Sequence, residues 1–310
     1  LSLQNRELQV GKENTFSKSF LLIFYMFFSL GLLLSFWYAH HQVVRGDQLQ
    51  MLQKGYTGAY TGYWISYGNS SSAMGNVPGT LSSLVVGLPL LVADTPWAPM
   101  VFLILLHSAS FFLFDNVIKN TFQNDRLRLI FLVLYWLNPW FLYENKLYNV
   151  SYLFFCSALH IWSAYKMKRE KSFWYTFLHL LAIGSAIQLH HSGVLLVMIS
   201  LCLIYKKLIH VNWVGILFAC FTLLISLIPY FRELLENEAI RHNAGIKSAD
   251  RYIGWGGLHA YPVFKAVLYW FRYGSFFFTK HIVSKANFGW MNLSETFQNH
   301  MDYFYKAITF

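Results

Sequence analysis

"SFLLIFYMFFSLGLLLSFWYA" occupies Ser19–Ala39 without a single Asp, Glu, Lys or Arg. The run meets the roughly 20 residues a helix needs to cross a bilayer. In hydrocarbon the backbone must satisfy its own hydrogen bonds, so such a run is helical. Leu208–Tyr230 is uncharged in the same way. The whole chain of 310 residues is 56% hydrophobic, 19% aromatic and only 12% charged. Soluble domains carry about 25% charged residues, so the composition points to a membrane protein.

The net charge is +10. Many of the basic residues cluster in short loops between apolar runs, which reads as membrane topology and not as a nucleic-acid surface. Cys156, Cys202 and Cys220 all lie in apolar runs, so no disulfide framework or metal spacing is suggested. The first apolar run follows a polar tail and is too long and aromatic for a signal-peptide core. It reads as a retained anchor helix.

Seven spans are expected, at 19–39, 96–114, 129–143, 147–165, 172–189, 190–205 and 208–230. "GTLSSLVVGLPLLV" (Gly79–Val92) is short and holds Pro89, which suits a re-entrant or interfacial segment. If it does not cross, Lys119, Arg126, Arg128, Lys166, Lys168, Arg169, Lys171, Lys206 and Lys207 all fall inside. The positive-inside rule favours that arrangement. The chain then divides into a cytoplasmic tail (1–18), a transmembrane core (19–230) with a first outer loop (40–95), and an extracytoplasmic or interfacial segment (231–310). In the last, "VFKAVLYWFRYGSFFF" (Val263–Phe278) reads as an amphipathic helix at the interface. No internal repeat or low-complexity tract is found.

Chemistry then belongs on the outer face. Asp47 lies just past the first span, with His40, His41 and Arg45 close in sequence. The next residue is Gln48, so a paired-carboxylate site of the glycosidase kind is not supported. A lone loop Asp is ordinarily just solvated; its neighbours make Asp47 a candidate. Glu144, Lys146 and Asn149 form a short outer turn that either caps two helices or walls a site. Pro139, just before the turn, is expected to bend the helix end. His190 and His191 join two spans and suit either an anion or the headgroup zone. Two histidines without a third ligand are weak evidence for a metal. Arg232 either snorkels to the interface or meets a lipid phosphate.

Four stretches in order carry a family resemblance: "GDQLQMLQKG" (Gly46–Gly55), "GNVPGTLSSLVVGLPLLV" (Gly75–Val92), "LNPWFLYENKLYNVSYLFF" (Leu137–Phe155), and "AIQLHHSGVLLV" (Ala186–Val197) with the later "LIPYFRELLENE" (Leu227–Glu238). Over roughly residues 15–240 the chain resembles the GT-C superfamily of membrane glycosyltransferases. Within it, the chain is most like the bacterial protein-mannosyltransferase-like group, which includes the lipid A aminoarabinose transferase and the Rgt-type lipopolysaccharide sugar transferases. The resemblance implies an all-α polytopic helix bundle whose long first extracytoplasmic loop carries juxtamembrane helices. It also implies transfer of a sugar from a polyprenyl-phosphate donor to an acceptor hydroxyl, with inversion. The acceptor is a glycolipid, a glycan or a protein; the bilayer is the other partner, and no nucleic acid is involved. The place is the outer face of a bacterial plasma membrane.

The acceptor hydroxyl must lose a proton, so one general base is needed, and Asp47 would be it. The leaving group is already a stable phosphate anion; it needs cations and hydrogen bonds, not an acid. Arg45, Gln48, Glu144, Lys146, His190, His191 and Arg232 are the expected substrate contacts. No cofactor is called for, a divalent metal is compatible with the chemistry, and no metal ligand is assigned. Many relatives have Asp-Glu where this chain has Asp47-Gln48, and they usually continue with further spans. The resemblance therefore leads one to expect a truncated form here. A transporter using Asp115, His107, His160 and His179 is the alternative from another class, and an inactive glycosyltransferase remnant is a second. Sequons occur at Asn69, Asn149 and Asn292.

Overall fold

The computed structural model describes residues 18–241, apart from 43, 72–74, 123 and 239. Residues 1–17, Val263–Phe278 and Asn292 lie outside the described residues. Helix α1 is Lys18–His40 and α2 is Asp47–Thr61. A hairpin of β1 (Tyr67–Ser71) and β2 (Gly75–Pro78) follows, then α3 (Leu81–Val92) and α4 (Trp97–Phe122). Next come α5 (Asp125–Trp136), α6 (Pro139–Tyr143) and a 3-10 turn, Asn149–Tyr152, leading into α7 (Leu153–Met167). The chain continues with α8 (Phe173–Leu189), α9 (Val194–Tyr205) and α10 (Trp213–Glu236).

Three helices are long and apolar enough to cross a membrane: Phe20–His40 of α1, and all of α4 and α10. They match the first, second and seventh expected spans. α10 leaves Trp213, Leu217 and Phe221 exposed. So much apolar surface suits lipid, since soluble monomers rarely expose large contiguous apolar patches. The other apolar helices are shorter. α9, with 12 residues, is about 18 Å long against roughly 30 Å of hydrocarbon.

Two expectations change in detail. The third span, read as one segment over 129–143, is two helices. Asn138 accepts a hydrogen bond from the Trp140 N–H at 2.9 Å and starts α6, with Pro139 at its first position. Proline lacks an N–H that the first turn would leave unpaired anyway, so it opens a helix here and bends none. The fold is also not wholly helical. The hairpin pairs antiparallel, with Ser70 opposite Asn76 and Ser71 opposite Gly75, and its register slips between Tyr67 and Ser70.

The bundle is ordered by side-chain size. Trp136 on α5 lies over Gly31 of α1, and its Nε1–H donates to the Phe28 carbonyl at 2.9 Å. That contact centres an aromatic cluster with Phe20, Phe24, Phe111 and Phe141. α2 turns Met51, Gly55 and Gly58 inward, one helical face at i, i+4 and i+7. Gly55 meets Val86 and Gly87 of α3, and Gly87 meets the Gly55 carbonyl, so the two backbones touch. Small residues allow such close crossings. α3 therefore lies along α2, an amphipathic partner. α4, α7 and α8 pack in sequence, and α10 closes onto α8.

Candidate functional site

Gly46, at φ +57°, turns the chain out of α1 and into α2; a residue without Cβ takes that conformation at no steric cost. Asp47 is thereby the first residue of α2, where a negative side chain is favoured by the helix dipole. It is exposed, and its carboxylate accepts no hydrogen bond from the described residues. Its backbone carbonyl accepts from Asn69 Nδ2 on β1 at 2.9 Å.

Across from it, α8 ends at Leu189 and the chain turns through His190 and His191. His190 Nδ1 accepts from the Ser192 N–H at 3.2 Å. Its ring lies within electrostatic reach of Asp47 and of His191. The His191 ring lies close to the backbone of Gly75, in β2, which favours its protonated form against the effect of burial. Asn149 Nδ2 donates to the Leu189 carbonyl at 3.0 Å, which brings the 3-10 turn into the same corner. Four buried polar atoms here have no hydrogen-bond partner among the described residues: Asn69 Oδ1, Asn149 Oδ1, Tyr152 OH and His191 Nε2. Buried polar groups are nearly always paired. Four unpaired ones on β1, the 3-10 turn and the His190–His191 turn fit a corner that receives a polar ligand.

The remaining expected contacts divide. Arg45 is exposed and within electrostatic reach of Tyr143, at the edge of the second turn. Gln48 Oε1 accepts from the Arg45 N–H at 3.4 Å, so it serves the start of the helix. Glu144 and Lys146 pair with each other at 3.1 Å; Ser151 Oγ donates to Glu144 at 2.9 Å, and Lys146 lies 4.1 Å over the Tyr143 ring. They brace the turn. Arg232 is exposed on α10 beside Glu233, which accepts from Tyr63 OH at 3.4 Å beyond the far end of α2. It is not brought to Asp47.

An apolar groove of about 720 Å³ runs between α3 and α4, lined by Leu84, Leu88, Pro89, Trp97 and Val101 among others. Through shared Leu81, Val85 and Phe102 it continues into a smaller cavity of about 170 Å³. That cavity ends at Tyr152, Ser185 and Leu189, next to the His190 corner.

The charged and imidazole side chains buried within the helices are engaged in three separate places. His107 reaches Asn145 at 3.0 Å and the Ser151 carbonyl at 2.9 Å. Arg128 grips Asp115 with both Nε and Nη2, the latter at 2.6 Å. His160 and His179 stack at 4.2 Å, and the Nε2 of each meets Ser200 Oγ, at 2.7 and 2.9 Å. The first joins α4 to the second turn, the second α4 to α5, and the third α7, α8 and α9. These contacts hold helices together.

The sequence reading passed over Asn69, Tyr152 and Lys54. Asn69 stood out only as a sequon; both Asn69 and Asn149 are buried and hydrogen-bonded. Among the described residues no group of three or more His, Cys, Asp or Glu side chains converges to hold a metal ion. Around Asp47 the donors are one carboxylate and one imidazole, short of a full coordination set for a divalent metal. No protein-family model matches the chain, and comparison with curated proteins and with solved structures gives no match.

Proposed function

We propose that this chain is a membrane glycosyltransferase that moves a sugar from a polyprenyl-phosphate donor to an acceptor hydroxyl. The observation that carries the reading is Asp47: an exposed carboxylate, unclaimed by the described residues, within electrostatic reach of His190, whose neighbour Leu189 lines an apolar cavity. The end of the bundle bearing Asp47 faces the exterior of a bacterial plasma membrane. The groove between α3 and α4 takes the prenyl chain. Arg45, His190 and His191 meet the phosphate, and the unpaired Asn69, Asn149 and Tyr152 atoms meet hydroxyls.

In the transfer, the acceptor oxygen attacks the anomeric carbon from the face opposite the phosphate. Its proton passes to Asp47, the bond from carbon to phosphate oxygen breaks, and the electron pair leaves on the phosphate. The configuration inverts. The test compares envelope glycolipids by mass spectrometry in a deletion strain carrying wild type or Asp47→Asn at equal expression. Wild type should restore a sugar-sized mass increment and the variant should not. Restoration by both would sink the mechanism.

A further inference from the structure

Lys54 lies seven residues beyond Asp47 on α2, about 10 Å along the axis. Its Nζ donates to the carbonyls of Tyr67, at 3.1 Å, and Gly68, at 2.5 Å, and sits 4.9 Å over the Tyr67 ring. These carbonyls fall where the hairpin register slips, between Tyr67 and Ser70. A slipped register leaves ladder groups unmatched, and the ammonium supplies donors there. The same strand is tied to the start of α2 by Asn69 and the Asp47 carbonyl. The other strand reaches His191 through Gly75. The hairpin is thus a strut between the helix that carries Asp47 and the corner that carries His190.

We propose that Lys54 is the positioning residue of this site: its ammonium pins the hairpin to α2 and so holds Asp47 opposite His190. Burial draws the Lys54 amine down to about 8, so the fold keeps a charge there at a cost in stability. α3, packed against α2, brings no titratable group; β1 brings Tyr67, the 3-10 turn brings Tyr152, α10 sets Glu233 beside Tyr67, and α2 itself brings Asp47, Tyr56 and Tyr60. The catalytic consequence rests on the glycosyltransferase reading; the geometric one does not, and the experiment measures the geometry.

Purified wild type, Lys54→Met, Lys54→Arg and Asp47→Asn would be compared in nanodiscs by two methods. Hydrogen exchange follows the amides of 66–79. Peptide-resolved carbethoxylation of His190 follows its titration midpoint, with His191 and Asp47 the groups that face it. Lys54→Met should speed hairpin exchange by about tenfold or more, the loss of a charge-assisted hydrogen bond, with α4, α7 and α8 unchanged. It should also move the His190 midpoint in the same sense as Asp47→Asn, while Lys54→Arg stays near wild type. An unchanged midpoint in Lys54→Met would overturn the proposal, even with a looser hairpin. So would equal loosening of every helix. If Lys54→Met does not fold, Lys54→Gln takes its place in the same comparison. None of these readouts requires transferase activity, so a failed Asp47→Asn complementation leaves them standing.

Discussion

Asn69 donates its side-chain amide to the backbone carbonyl of Asp47 at 2.9 Å, so the candidate base is held by its main chain and its carboxylate stays exposed. Asn69→Ala removes this bond and leaves the carbonyl to solvent. The expected cost is about 1 kcal/mol of stability, read from the thermal unfolding midpoint in detergent. Glycolipid transfer should fall by more than that loss implies, because the first turn of α2 is no longer fixed. Transfer equal to wild type would show that Asn69 has no part in the site.

Gly79 sits at φ +96°, and a Cβ there would run into Gln188 Oε1. Gln188 is buried and donates from Nε2 to Ser226 Oγ at 2.7 Å. Gly79→Ala should therefore destabilise by more than about 1 kcal/mol, the scale of placing a side chain at positive φ. Adding Gln188→Ala should recover the clash but not the backbone strain. Thermal unfolding of the single and double variants separates the two, and full recovery would show that strain contributes nothing.

Asp115 and Arg128 are both buried and joined by two hydrogen bonds, with the guanidinium 4.9 Å from the Phe20 ring centre. Asp115→Asn or Arg128→Met alone leaves one buried charge unmatched and should cost about 3–5 kcal/mol. The double variant Asp115→Leu with Arg128→Met should cost much less than the sum. Additive losses in chemical denaturation would contradict a direct pair.

Lys54 gives a pH dependence with a definite sign. Its amine is lowered to about 8 from an ordinary 10.5 by burial. Below about pH 8 both folded and unfolded chains carry the proton, and the folded state bears the full cost of burying it. Between pH 8 and 10.5 the unfolded chain binds more protons, so stability rises with pH. The stability of wild type relative to Lys54→Met should be flat below pH 8 and climb above it. Urea unfolding at a series of pH values checks this; a falling difference would reverse the assignment.

Much of the helical order is legible from apolar runs alone. The first, second and seventh expected spans fall on helices long and apolar enough to cross a membrane, and the other four fall on shorter helical segments. The hairpin was not legible. "YGNSS" and "GNVP" show no alternation of apolar and polar residues; the pair is held instead by polar contacts to α2, Lys54 to the Tyr67 and Gly68 carbonyls and Asn69 to the Asp47 carbonyl. Asp47 and His190 could be named from sequence, yet their facing each other depends on that hairpin. Nothing in the sequence around Lys54 sets it apart from a solvated lysine. Arg232 looked like a phosphate contact by its place at a span end, but nothing in a one-dimensional pattern says which end of α2 it would meet.

The stacked His160 and His179 share one hydroxyl, that of Ser200, and this makes a vernier for three helices. A helix that slipped by one turn would move its residue 5.4 Å, and no rotamer could reach the common oxygen. A one-residue insertion in α8 would swing His179 by about 100°, away from the Ser200 hydroxyl. The exposed positions of α7, α8 and α9 are thus free to drift in sequence, while the lengths on either side of these three residues are not. Substitutions should be tolerated in these helices where insertions and deletions are lethal to the fold.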